Sequence, residues 1–213
     1  MQWNTSWGTD DTMSQTNRIT HIDSLRGAAV LLMVMVHAAA TWNPFQDTQM
    51  SVLAYVVSGL GGLAAPLFVT LFGWGIVRSH LSMKARVFQA LFLFTAQILV
   101  NFTSPHLFNP FTPGILSLMG LLTLLLPFVV TRMKLLSIQP LATTITLIFA
   151  IQFFFPEIQG IGGWSDRVSD DSAYTIVSNL FLTGTYPLFP WIIFALLGAT
   201  ISGRKLESGQ TLQ

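Results

Sequence analysis

The chain has 213 residues, 52% of them apolar and only 9% charged, with a mean hydropathy of +0.61. A soluble domain carries about a quarter charged residues, so this composition belongs to an integral membrane protein. Ten basic and nine acidic residues give a net charge of +1, which offers no support for nucleic-acid binding, and the absence of cysteine excludes disulfides, thiolate metal sites and a cysteine acyl carrier.

Residues 1–22 read as a polar tail rich in Gln2, Asn4, Thr5, Ser6, Asp10 and Asp11. It lacks the basic stretch and apolar core of a cleavable signal peptide, and Trp3 and Trp7 are suited to rest at lipid headgroups. The rest divides into one transmembrane domain, 23–203, and a cytoplasmic tail, 204–213. Within that domain six apolar segments have lengths compatible with about 30 Å of hydrocarbon: 25–42, 52–77, 87–102, 115–130, 138–155 and a sixth inside 176–201. The predicted fold class is therefore all-α, a polytopic membrane protein with about six transmembrane helices.

The first segment carries the most chemistry. Asp23 and Arg26 precede an apolar run whose one ionisable group, His37, is expected to be buried. Arg26 and His37 are eleven residues apart, almost three helical turns, so they share a face about 16 Å apart along the axis. An ionisable group at that depth is costly and marks a functional position. Asp23 has the place of a helix cap, offsetting the positive helix end and pairing with Arg26.

In the second segment Gly59-Leu-Gly-Gly62 lacks the Lys-Ser/Thr of a phosphate loop and reads as close helix packing. Gln97, in the third segment, and Gln152, in the fifth, are expected to bond across helices. Asn101 and His106, near the outer end of the third, are candidates to touch a substrate. The connection at 156–173, with Gly160, Gly162, Gly163 and Trp164 before an acidic cluster, is either a solvated loop or a lid. The sixth segment is interrupted by Gly184, Pro187 and Pro190, and its Tyr186 and Trp191 either line a channel beside freed carbonyls or anchor at the interface.

Basic residues set the orientation. With the N-terminus inside, Arg18, Arg26, Arg78, Lys84, Arg86, Arg132, Lys134, Arg204 and Lys205 are cytoplasmic and only Arg167 is outside. The outer loops then hold Asp47, Glu157, Asp166, Asp170 and Asp171. Both termini are expected in the cytoplasm of a multi-pass protein of the inner cell membrane.

Three motifs carry a resemblance. Arg18, followed by Ile22-Asp23-Ser-Leu-Arg26-Gly27 and the apolar run to His37, resembles the opening helix of the heparan-α-glucosaminide N-acetyltransferase-like superfamily, whose bacterial and archaeal branch includes a domain of unknown function. Pro66-Leu-Phe-Val-Thr-Leu-Phe-Gly73 is similar to its second membrane segment, and Tyr186-Pro187-Leu-Phe-Pro190-Trp191 to its later Pro-Trp segment. The acyltransferase-3 family shares the Arg-Gly and histidine of the first motif but not the third. The resemblance implies transfer of an acyl group, usually acetyl, from cytosolic acyl-CoA to an acceptor on the far side, a glycan or lipid-linked sugar. It gives His37 the central catalytic role, as general base or acyl carrier; Asp23 is a second catalytic candidate, after its reading as a cap. It makes Arg26, Lys84, Arg86 and Arg132 the candidates for CoA phosphates, helped by Lys134, because guanidinium forks match phosphate oxygens. Asn101, His106, Tyr186 and Trp191 become candidates for the acceptor.

In sugar-acetylating relatives the histidine stands beside a Trp-Asn pair, whereas Trp42-Asn43 follow His37 here at longer spacing. Relatives usually continue with further spans after the Pro-Trp helix, so the chain reads as a short member. A second reading therefore stands beside the enzyme: a non-catalytic membrane subunit of a larger complex, or a homo-oligomer, that retains the fold. A transporter ranks third, because no repeat architecture is visible. No metal is expected, since the four histidines fall in separate segments without ligand spacing.

Overall fold

The computed structural model describes residues 20–41, 52–135, 139–154 and 163–208. Among them every regular element is helical: α1 (Thr20–Thr41), α2 (Val52–Arg78), α3 (Met83–Thr103), α4 (Ile115–Leu135), α5 (Pro140–Phe154), α6 (Trp164–Val168), α7 (Ala173–Ser178) and α8 (Leu188–Ser208). A π-helical turn, Asn179–Thr183, extends α7. The tail with Trp3, Trp7 and Arg18, the Trp42-Asn43 pair, Asp47, Glu157, Gly160 and Gly162 lie outside the described residues, as do the side chains of Lys134, Gln152, Arg204 and Lys205.

Four helical stretches are long and apolar enough to cross a membrane: His21–Ala39, Tyr55–Arg78, Met83–Thr103 and Ile115–Arg132. A fifth results if Ala173–Thr183 and Leu188–Ser202, bent by 46° at the break between them, count as one span. That break falls at Gly184 and Pro187, where the sequence frees backbone groups. The fifth expected segment is described over Pro140–Phe154. Its apolar helix, Leu141–Ile151, covers 11 residues, about 16 Å at 1.5 Å per residue.

α2, α4 and α8 form the centre, where Val69, Leu118, Leu122, Leu126, Ala195 and Leu196 are fully buried. Glycine lets α2 and α8 touch backbone to backbone. A Cβ at Gly73 would lie 2.7 Å from Ala195 Cα, and one at Gly198 would lie 2.8 Å from Trp74 N. Small residues drive such approaches in lipid, where no hydrophobic gain separates one helix from another. α1 flanks α2, α3 flanks α4, and α5 flanks α8. Gly61 belongs to the α1 contact, since a Cβ there would strike Val36, while Gly59 and Gly62 face open space. Leu31, Phe88, Leu91, Phe149 and Phe153 point outward and exposed, the surface that hydrocarbon covers.

At the end of the bundle opposite the α2–α3 connection, a polar staple joins α3, the 104–114 loop and the segments before α8. Asn101, 1% exposed, donates to the carbonyls of Pro110 (3.0 Å) and Thr112 (2.9 Å) and accepts from Gln97 Nε2 (2.9 Å). Gln97 Oε1 accepts from Leu116 N across to α4 at 3.1 Å, the cross-helix bond expected of it. Asn179 donates to Ser169 O (2.9 Å), Asp170 accepts from Phe111 N (3.0 Å), and Trp164 Nε1 donates to Leu107 O (3.2 Å). The described part of the 156–173 connection is thus docked on the neighbouring loop. Asn101→Ala leaves Gln97 and two carbonyls short of partners. The expected cost is about 2 kcal/mol, a fall of roughly 4–8 °C in Tm, read by tryptophan emission on heating; an unchanged Tm would remove the staple from the account.

Candidate functional site

The α2–α3 connection closes one end of the bundle, and the local sequence dictates how. Ser82 caps α3, its Oγ accepting from Ala85 N at 3.3 Å. Arg86, one turn into α3, folds back over the connection: Nε donates to Leu81 O (3.3 Å) and Nη2 to Ser79 O (3.0 Å). Two carbonyls thereby fix the guanidinium, and Nη1 keeps both of its donors among the described residues.

Arg86 and Arg26 both line a cavity of about 450 Å³ between α1, α2 and the start of α3. Val30, Phe68, Leu71, Phe72 and Ile76 make its walls apolar, while Arg26, Arg86, Gln89 and Ser79 supply its polar groups. Arg26 is half exposed and pairs with Asp23 Oδ1 at 3.3 Å. Its Cζ also lies 6.0 Å from the Trp74 ring, which Arg78 approaches at 4.8 Å. Ser79 Oγ is buried with no hydrogen-bond partner among the described residues. An elongated molecule with phosphate at one end and a less polar arm at the other matches this lining.

His37 lies further along α1, seven residues or about 10 Å beyond Val30. Within this chain His37 is exposed, on a helix that packs chiefly on α2. Its Nδ1 is 2.7 Å from Met33 O. A carbonyl only accepts, so Nδ1 carries the proton and a neutral ring has its lone pair on Nε2.

Of the candidate phosphate ligands, the fold brings Arg26 and Arg86 together, 60 positions apart in sequence. Lys84 is exposed and absent from the cavity lining, and Arg132 is exposed with its Cζ 5.0 Å from the Phe128 ring. Asp23 stands with Arg26, almost four turns from His37. Asn101 is committed to the staple, and His106 is exposed in a turn. Tyr186 and Trp191, half-buried, stack edge to face at 5.0 Å, and Trp191 continues to Phe194 at 5.5 Å, packed on the α2–α4–α8 core. Sequence reasoning missed Trp74, Ser79 and Gln89. Their only signal was nearness to the α2–α3 turn.

Residues 18–211 match the family described as heparan-alpha-glucosaminide N-acetyltransferase, catalytic. No curated protein and no solved structure matches the chain. The match spans nearly all of the sequence, including both the α1 segment with His37 and the Pro-Trp segment of α8. The chain is a multi-pass membrane protein that belongs to the heparan-alpha-glucosaminide N-acetyltransferase catalytic family.

Proposed function

We propose that the chain transfers an acyl group, typically acetyl, from cytosolic acyl-CoA to an acceptor at the opposite membrane face. The observation that carries this reading is the convergence of Arg26 and Arg86 on one apolar-walled cavity beside the helix that bears His37. The guanidiniums hold the CoA phosphates, and the acyl-bearing arm runs along α1 toward His37. The acceptor hydroxyl or amine attacks the thioester carbonyl and its proton passes to His37 Nε2; the C–S bond breaks and CoA leaves as the thiol, taking that proton from the imidazolium. The same Nε2 would carry the acyl group if transfer proceeds in two steps.

In this reading α5 belongs to a sixth crossing, both termini are cytoplasmic, and the membrane is the inner cell membrane. Basic residues gathered on one side support that orientation. The acceptor is a glycan or a lipid-linked sugar, reached from the side of the polar staple. The test is thiol release from acetyl-CoA by the purified protein in lipid nanodiscs, with amino sugars supplied as acceptors. The chain holds no cysteine, so every thiol detected comes from CoA. Acceptor-dependent release is expected; CoA binding without release under any acceptor would sink the enzyme reading.

One observation favours the non-catalytic alternative. His37 is exposed, and it is absent from the lining of the cavity that holds the arginines. A subunit that retained the fold would bind CoA, or nothing, and copurify with a larger membrane complex at fixed stoichiometry.

A further inference from the structure

We infer that Ser79 is a phosphate ligand, the neutral third member of a cradle whose cationic members are Arg26 and Arg86. The assignment rests on the CoA-site reading above for the identity of the ligand, but its own basis is separate. Ser79 lines the cavity, and its Oγ is buried without a hydrogen-bond partner among the described residues. A buried hydroxyl left unbonded is costly, and such a group in a ligand cavity marks a position that the ligand completes.

The surroundings select an anion. Arg86 donates to the backbone carbonyl of Ser79 itself, so hydroxyl and guanidinium belong to one rigid unit. The adjacent 21-residue α3 points its N-terminal end toward the same connection, where its dipole favours negative charge. Arg26 lines the same cavity, its Nη2 3.4 Å from where a Cβ on Gly75 would stand. A serine hydroxyl donates to a phosphate oxygen at no cost in charge.

Two molecules present this chemistry at a membrane surface, the phosphates of CoA and the headgroup of an anionic lipid. Wild type, Ser79→Ala and Ser79→Thr are to be titrated with CoA in nanodiscs of phosphatidylcholine alone. The Tm of each is then followed as phosphatidylglycerol is added. Ser79→Ala is expected to bind CoA about tenfold more weakly than wild type, as for a lost hydrogen bond to a charged group. Ser79→Thr, which keeps the hydroxyl, should stay close to wild type, a rescue that a packing role would not give. If wild type ignores CoA but gains a Tm increase from phosphatidylglycerol that Ser79→Ala lacks, the cradle stands and the CoA reading falls. Equal CoA affinity and equal lipid response in wild type and Ser79→Ala would overturn the assignment, as would a wild type that responds to neither.

Discussion

His37→Ala is expected to lower acyl transfer by roughly a hundred- to ten-thousand-fold, the span that a positioned general base contributes, while CoA affinity stays unchanged. The separation follows from geometry. The groups proposed to hold phosphate, Arg26, Ser79 and Arg86, line one cavity, and His37, absent from that lining, stands about three turns from Arg26 on α1. The Nδ1–H bond to Met33 O fixes which nitrogen offers its lone pair, so His37→Gln, which has no basic nitrogen, should be as impaired as alanine. Thiol release measures the loss and CoA titration the unchanged affinity. A His37→Ala protein that turns over at the wild-type rate would remove the histidine from the chemistry. An acid-quenched wild-type sample carrying labelled acetyl on His37 would establish the two-step route over direct transfer.

Arg86→Ala is expected to weaken CoA binding by about ten- to a hundredfold, the range for a charge-assisted hydrogen bond. Arg86 is preorganised: bonds to Leu81 O and Ser79 O hold the guanidinium before any ligand arrives, so little side-chain entropy is lost on binding. Arg86→Lys keeps the charge but not the planar fork, and it should recover only part of the affinity. Arg26 should matter less. Its side chain is 48% exposed and already paired with Asp23, so solvent screens it, and Arg26→Ala should cost only about fivefold, with a steeper dependence on salt than the Arg86 variant shows. Both are read by the same CoA titration. Equal affinity in wild type and Arg86→Ala would place the donor elsewhere.

The helices were legible because apolar runs of membrane length permit little else, and the break before α8 was legible because Gly184 and Pro187 cannot continue a helix. The family was legible in α1, where Asp23, Arg26, Gly27 and His37 have a fixed spacing. The pairing of Arg26 with Arg86 was not, because it depends on α1 and α3 meeting across α2, and nothing local encodes that. Charge alone likewise did not separate Arg86 from Lys84 two positions away; helix phase turns one inward and leaves the other exposed. Asn101 shows the opposite failure. A polar residue near a helix end looks available for a ligand until its acceptor and both amide hydrogens are found bonded to the chain itself. The exposure of His37 depends on which helices cover α1, and one helix's sequence is silent on that.

The central claim is that the cavity between α1, α2 and α3 is the donor site. Photolabelling tests it most directly, using acetyl-CoA that carries a diazirine on its pantetheine arm, with the labelled peptides mapped by mass spectrometry. Labels on Val30, Phe68 or Phe72, lost when unlabelled CoA is added in excess, are the result this account predicts. Competable labels confined to α4, α5 or the loops at the opposite end would contradict it.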